Sequence, residues 1–359
     1  MKTPFQLAAI LSLGLAPCHA QDASTPIAPS TAPAGTQKPV MERASADTAA
    51  SAKQLGPLAE LEGKWRGSGF NIIALPDKQN GKRFRVQVNV TKEEFEFTKT
   101  GIVPNRGNVQ GDIDIFGLNY VQRVFDRDTS ELLHIEPGQW LYVPATTAPP
   151  LGATVVRMST IPHGVSLLAQ GDVVLDANGN ANTTFDAKPP FGKADATPFF
   201  LNDDGTRRND ESVNYLAPYR DAKLPPGLPE GTIMDPNLML KAAVKDQTFR
   251  KFVTLFVNAD PVGQINGAKT EKIGGLLNIP FLLGPKDPAN PGDPPPFNAN
   301  SNSMSAIFWI EWVLRPNGTH FLQLQYTQTV ILDFPVAGPD GKIIAIKWPH
   351  ISVGTLIKE

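Results

Sequence analysis

Period-two alternation at hairpin spacing dominates the first half of this chain. Phe84 to Val90, Glu93 to Lys99, Gly117 to Asp126, Leu132 to Val143, Thr154 to Ile161 and Gly164 to Leu175 each alternate apolar and polar side chains, the mark of strands with one buried face. Turn-forming residues separate them, such as Asp126-Arg127-Asp128-Thr129 and Asp176-Ala177-Asn178-Gly179. Strands joined this briefly pair antiparallel, and a long meander keeps two unpaired edges unless it rolls shut. The expected fold is therefore all-β, an antiparallel up-and-down barrel.

The barrel is predicted over residues 55–187 and again over 306–359. Leu55 to Leu61 reads as a short helical lead-in to a first strand in which Trp65 alternates with small residues. Trp65 is expected to plug the closed end while its glycine neighbours let the backbone bend. Ala306 to Leu314, the turn Arg315-Pro316-Asn317-Gly318, Thr319 to Leu332 and Ile343 to Ile357 supply the last strands. Between them, 188–305 breaks the pattern. Proline and glycine crowd 189–231 and 284–296, a single helix is predicted from Pro236 to Phe252 behind Asp235 as N-cap, and Phe252 to Val257 is strand-like. A structureless loop of that length is improbable in a compact domain, so 188–305 is expected to be an insertion covering the barrel as a lid.

The beginning of the chain reads as an export signal over residues 1–20. Lys2 precedes an apolar run from Phe5 to Ala16, and Cys18-His19-Ala20 suits cleavage after Ala20. Pro17 stands where a lipobox needs a small residue, so a lipoprotein anchor at Cys18 is the weaker reading. Residues 21–54 are Ala, Ser, Thr and Pro with few large apolar side chains, a tether expected to be disordered. The expected location is periplasmic or secreted, without an integral membrane segment after cleavage. Cys18 is the single cysteine, so the mature chain has neither disulfides nor thiolate ligands. A formal charge of −2 without a basic stripe excludes a nucleic-acid partner.

Chemistry must then come from His, Asp, Glu, Tyr or a cofactor. No HExxH, GxSxG, Walker or GxGxxG pattern occurs. Beyond the signal, the histidines are His134, His163, His320 and His350. His134, Glu136 and Trp140 share one face of their strand, either an outward polar face or a polar patch in a lumen. His163 lies in the turn Ile161-Pro162-His163-Gly164, and His320 follows a turn, both ordinary surface positions. On the last strand His350 falls on the face of Ser352, Gly354 and Leu356, opposite Ile351, Val353 and Thr355.

Several of these stretches, in this order, resemble the nitrobindins. They are Gly63-Lys64-Trp65-Arg66-Gly67-Ser68-Gly69, Gly117 to Asp126 leading into Leu132-Leu133-His134-Ile135-Glu136-Pro137-Gly138, His163 to Gly171, and Pro349-His350-Ile351-Ser352-Val353-Gly354-Thr355-Leu356. The resemblance implies a ten-stranded barrel, shaped like the fatty-acid-binding proteins, that holds haem b at its open mouth. It implies that His350 is the proximal iron ligand and that His134 lines the pocket; His163 near the distal side, Leu133 in an apolar slot and Ile161 are further candidate cofactor-binding residues. By the same resemblance the protein handles NO, peroxynitrite or peroxide, as a peroxynitrite isomerase-like enzyme or weak peroxidase, or it carries haem. The alternative is a lipocalin-like carrier of an apolar small molecule without haem. His163, Pro137, the insertion and the exported tether depart from the family. Iron ligation needs a neutral ring, so affinity is expected to weaken below the ordinary histidine value of ~6.5.

Overall fold

The computed structural model describes residues 54–77, 84–107, 111–147, 150–174, 188–202, 206–208, 215–259, 263–265, 268–270, 275–278, 291, 300–337 and 343–359. The predicted signal, almost all of the tether, and residues 279–290 lie outside them.

Among the described residues ten strands form the closed barrel: β1 (Gly63–Pro76), β2 (Phe84–Gly107), β3 (Gly111–Asp126), β4 (Leu132–Val143), β5 (Thr154–Ile161), β6 (Val165–Val174), β7 (Phe249–Asn258), β8 (Asn300–Leu314), β9 (His320–Ala337) and β10 (Ile343–Lys358). Each pairs antiparallel with the next, and β10 pairs back onto β1 with Trp65 opposite Lys358. The expected barrel is therefore closed, with ten antiparallel strands. Closure satisfies the edge donors and acceptors that an open meander would leave bare.

The insertion needs correcting. The helix predicted over 236–252 is confined to α2 (Asn237–Ala243), after a shorter α1 (Ala217–Asp221). Asp235 Oδ1 does accept the Asn237 N–H at 3.2 Å, as a capping carboxylate should. Beyond Ala243, Val244-Lys245-Asp246-Gln247 offers no continuing apolar stripe, and from Phe249 the sequence changes period. Val253, Leu255 and Val257 face the lumen while Phe249 and Phe252 face outward under the insertion. This two-faced segment is β7, seated between β6 and β8. Barrel strand thus runs inside the predicted insertion, and β8 starts at Asn300 rather than Ala306. Toward the mouth, β6 exchanges β7 for a short strand, Gly275–Asn278, which pairs with Val165–Leu168. Asn278 ties that strand to Asn300 and Ser301 at 2.9–3.0 Å.

Two cores result. The first fills the lumen at the closed end with Trp65, Phe95, Phe97, Trp140, Phe308 and their neighbours. A 3-10 turn, Gly56–Leu61, stoppers it with buried Leu58 and Leu61, and Leu61 O accepts Trp65 Nε1–H at 2.7 Å. The second lies outside the wall, where insertion residues Ala194, Ala196, Phe200, Tyr215, Tyr219 and Leu240 pack on Phe70, Ile72, Trp309, Ile351 and Val353. The described part of the insertion therefore covers the flank of the barrel. At one point it replaces a wall strand. β10 pairs with β1 only from Ile351 onward, and on the edge left bare Phe199 exchanges backbone hydrogen bonds with Lys347 at 2.9 and 3.1 Å.

No helix among the described residues is long and apolar enough to cross a membrane. Trp65→Ala, which empties the plug of the closed end, should cost ~3–5 kcal/mol. A wild-type denaturant midpoint for the variant would show that the plug contributes nothing.

Candidate functional site

Polar side chains take over the lumen above the aromatic plug. On β1 the inward positions run Trp65, Gly67, Gly69, Asn71; on β2, Phe97, Phe95, Glu93, Thr91, Asn89; on β10, Leu356, Gly354, Ser352, His350. Gly69 lies directly opposite Gly354. A Cβ at Gly69 would collide with the Glu93 carboxylate, and one at Gly354 with the Tyr326 ring. These two glycines make the space in which Glu93 and Tyr326 meet.

That meeting forms half of a buried floor. Tyr326 OH donates to Glu93 Oε2 at 2.6 Å, Thr91 Oγ1 donates to Glu93 Oε1 at 2.8 Å, and Gln122 Nε2 donates to Tyr326 OH at 3.2 Å. Burial pushes the Glu93 carboxyl up, against the lowering effect of those hydroxyls. Glu136 and Arg157 form the other half, an ion pair of 2.7 Å with both side chains out of water. Tyr120 OH also donates to Glu136 Oε1, while Arg157 Nε donates to Tyr120 OH at 2.9 Å and Nη1 to Gln328 Oε1 at 2.6 Å. Burial opposes the charge of Glu136, but the Arg157 guanidinium and the bonds from His134 and Tyr120 outweigh it and hold the carboxyl well below the usual range. Ser159 Oγ, facing the lumen beyond Arg157, is buried without a partner.

Three of the four predicted histidines gather above this floor. His134 takes the lumen side of the two faces open to it, with Nε2 3.3 Å from Glu136 Oε2. Extending the pairing of β4 with β5 brings His163 beside it, and the rings stack 5.7 Å apart at 23°. His163 is exposed at the tip of its hairpin, whose Gly164 adopts φ 95°. His350 faces the lumen half-buried, its Nε2 2.6 Å from Asn71 Nδ2, which also donates to Ser352 Oγ at 2.8 Å. Burial first, then the neighbouring His134 and His163, lower His350 to about 3, so its ring is neutral at any physiological pH. Burial and His134 lower His163 as well.

The remaining predicted residues divide. Ile161 ends β5 half-buried, paired with Val165 below the His163 turn. Leu133 is the extra residue of a bulge where β4 slips against β3, half-buried and in none of the core clusters. His320 begins β9 at the closed end, exposed and far along the strand from Val330, the partner of His350. Sequence reading missed Asn71, Glu93, Arg157 and Tyr326. Asn71 and Glu93 were within its reach, because period two places Asn71 on the face of Trp65 and Glu93 on that of Phe95 and Phe97.

Neither a family model nor a curated protein matches this chain. Among solved structures, the crystal structure of Rv2717c from M. tuberculosis is similar at a TM-score of 0.35 and 12% identity, covering 86% of this chain and 97% of that one.

Arg157→Ala strands the Glu136 carboxylate in the lumen and should cost about 3–5 kcal/mol, whereas replacing both by apolar residues of similar volume should cost far less. Equal denaturant midpoints for the single variant and wild type would contradict a buried pair. The folded carboxyl sits below its unfolded value, so the stability it contributes is full above about pH 4.3 and is lost as pH falls further. Glu136→Gln should flatten that acid limb.

Proposed function

We propose that this barrel binds haem b at its mouth, with His350 as the residue that would hold its iron. The observation that carries this reading is a half-buried imidazole, facing the lumen and held neutral, with two further histidines converging on it. Ligation requires the unprotonated ring, and burial supplies it. The donor set fits one axial bond. His350 Nε2 has a lone pair, now used by the Asn71 amide, and Val330 on β9 and Ile161 on β5 offer aliphatic surface nearby. Among the described residues no group of three or more His, Cys, Asp or Glu is arranged to hold a bare metal ion. One imidazole suffices for an iron whose other ligands belong to a porphyrin. The ordered likeness of Gly63–Gly69, Leu132–Gly138 and Pro349–Leu356 to nitrobindin segments supports the same choice.

Bound haem iron would supply a coordination position for NO, peroxide or peroxynitrite. The chain's own residues then act around it. His350 would bind, Asn71 holds that ring before the group arrives and is itself held by Ser352, and Glu136, anchored by Arg157, fixes the His134 ring that stands with His163 at the mouth. This constellation serves a peroxynitrite isomerase-like or weak peroxidase activity, or haem carriage by an exported protein. A deep lipocalin-like pocket is less well supported, because Trp65, Trp140, Phe95, Phe97 and Phe308 already occupy the inner lumen.

Titration of the purified full chain with haem, followed through the Soret band, tests the proposal. His350→Ala should abolish tight binding, while His320→Ala should leave it unchanged. Affinity should hold as pH falls from 7 to 5. A histidine of ordinary basicity would instead lose about 30-fold over that range, so burial removes the acid weakening expected from sequence. Unaltered Soret position and affinity in His350→Ala would defeat the assignment and favour an apolar ligand.

A further inference from the structure

A file of hydrogen bonds runs along the inner faces of β2 and β1 and ends on His350. Arg85 Nη1 donates to Gln87 Oε1 at 3.2 Å, Gln87 Nε2 to Asn89 Oδ1 at 3.2 Å, and Asn89 Nδ2 to Asn71 Oδ1 at 3.3 Å. Asn71 Nδ2 then lies 2.6 Å from His350 Nε2. Three of the links are amides, and an amide can present either end. They cannot turn independently, because each NH2 must meet an oxygen and each oxygen an NH2. Reversing one reverses all.

The direction is decided at the rim. A guanidinium has five donors and no acceptor, so Gln87 must turn its oxygen toward Arg85. Gln87 then offers N–H to Asn89, Asn89 to Asn71, and Asn71 to the ring. Each bond polarises the next in the same sense, and beyond the exposed bond from Arg85 the strip is half-buried, where a mismatched link would leave two like atoms facing each other. We propose that Arg85, through this relay, sets the tautomer of His350, leaving Nε2 bare and the proton on Nδ1. Arg85 is a positioning residue four links from the ring. Its consequence for haem rests on the reading above: the lone pair of Nε2 already faces the lumen, so His350 would offer it to iron in exchange for the Asn71 N–H without moving a proton.

The relay can be read without haem. Long-range proton–nitrogen correlation spectra of the 15N-labelled full chain at neutral pH distinguish the two ring nitrogens of His350, with His350→Ala for assignment. Wild type should show a pyridine-type Nε2 and a pyrrole-type Nδ1. Arg85→Glu puts an acceptor with no donor at the rim and should reverse the relay and exchange the two signals. Arg85→Met, which neither donates nor accepts, should give a mixture. A protonated Nε2 in wild type, or the same tautomer in all three proteins, would overturn the proposal. Haem titration of Arg85→Glu should show roughly tenfold weaker binding, the scale of one hydrogen bond to be reversed. Exchanged ring signals with unchanged haem affinity would uphold the relay and sink the bond from His350 to iron.

Discussion

A guanidinium without access to water is stable only if every face of it is used, and Arg157 meets that condition at the one level where the lumen changes character. Its N–H groups go to Glu136, Tyr120 and Gln328, while its plane lies 5.2–5.8 Å from the rings of Tyr120, Trp140 and Phe308. Below it the barrel is an aromatic core. Above it are carboxylates, hydroxyls, amides and imidazoles. The pair with Glu136 fixes how deep the polar part of the lumen runs, and it keeps ionised the carboxylate against which His134 is oriented. Remove one partner alone and the other is left as an uncompensated charge in the lumen.

Much of this was legible in the sequence, and for one reason. A strand repeats every two residues, so His134, Glu136 and Trp140 must share a face, and so must His350, Ser352, Gly354 and Leu356. Trp65 could be assigned to the closed end because its neighbours of the same period are glycines. What sequence could not supply was the pairing between distant strands. Gln122 and Tyr326 meet across the lumen, as do Arg157 and Gln328, from segments far apart in the chain. The strand character of Phe252 to Val257 was legible, but its place in the wall as β7 was hidden for a different reason. Its period-two run follows directly on a helix inside a stretch rich in proline and glycine, where local pattern favours an excursion. Only its two partners, β6 and β8, make it a wall strand. The depressed basicity of His350 was equally invisible, because it arises from enclosure rather than from any neighbour in sequence.

The insertion does more than decorate the flank. β1 and β10 part company at Ile72 and Ile351, one residue from His350, and the insertion closes that parting with the Phe199 bridge and a second core outside the wall. Phe84 and Trp348, on strands separated by β1, touch there at 4.5 Å. His350 is thus placed where the wall is held by side-chain packing instead of a continuous ladder.

The pairing of Trp65 with Lys358 has a bearing on the order of folding. The barrel is completed between β1 and β10, so ladder bonds at that junction cannot form until β10 has been made. Until then the meander has two open edges, one of them the glycine-rich β1, which has little side-chain bulk with which to fend off another chain. A growing polypeptide with this topology carries its aggregation hazard on β1, and carries it until β10 arrives.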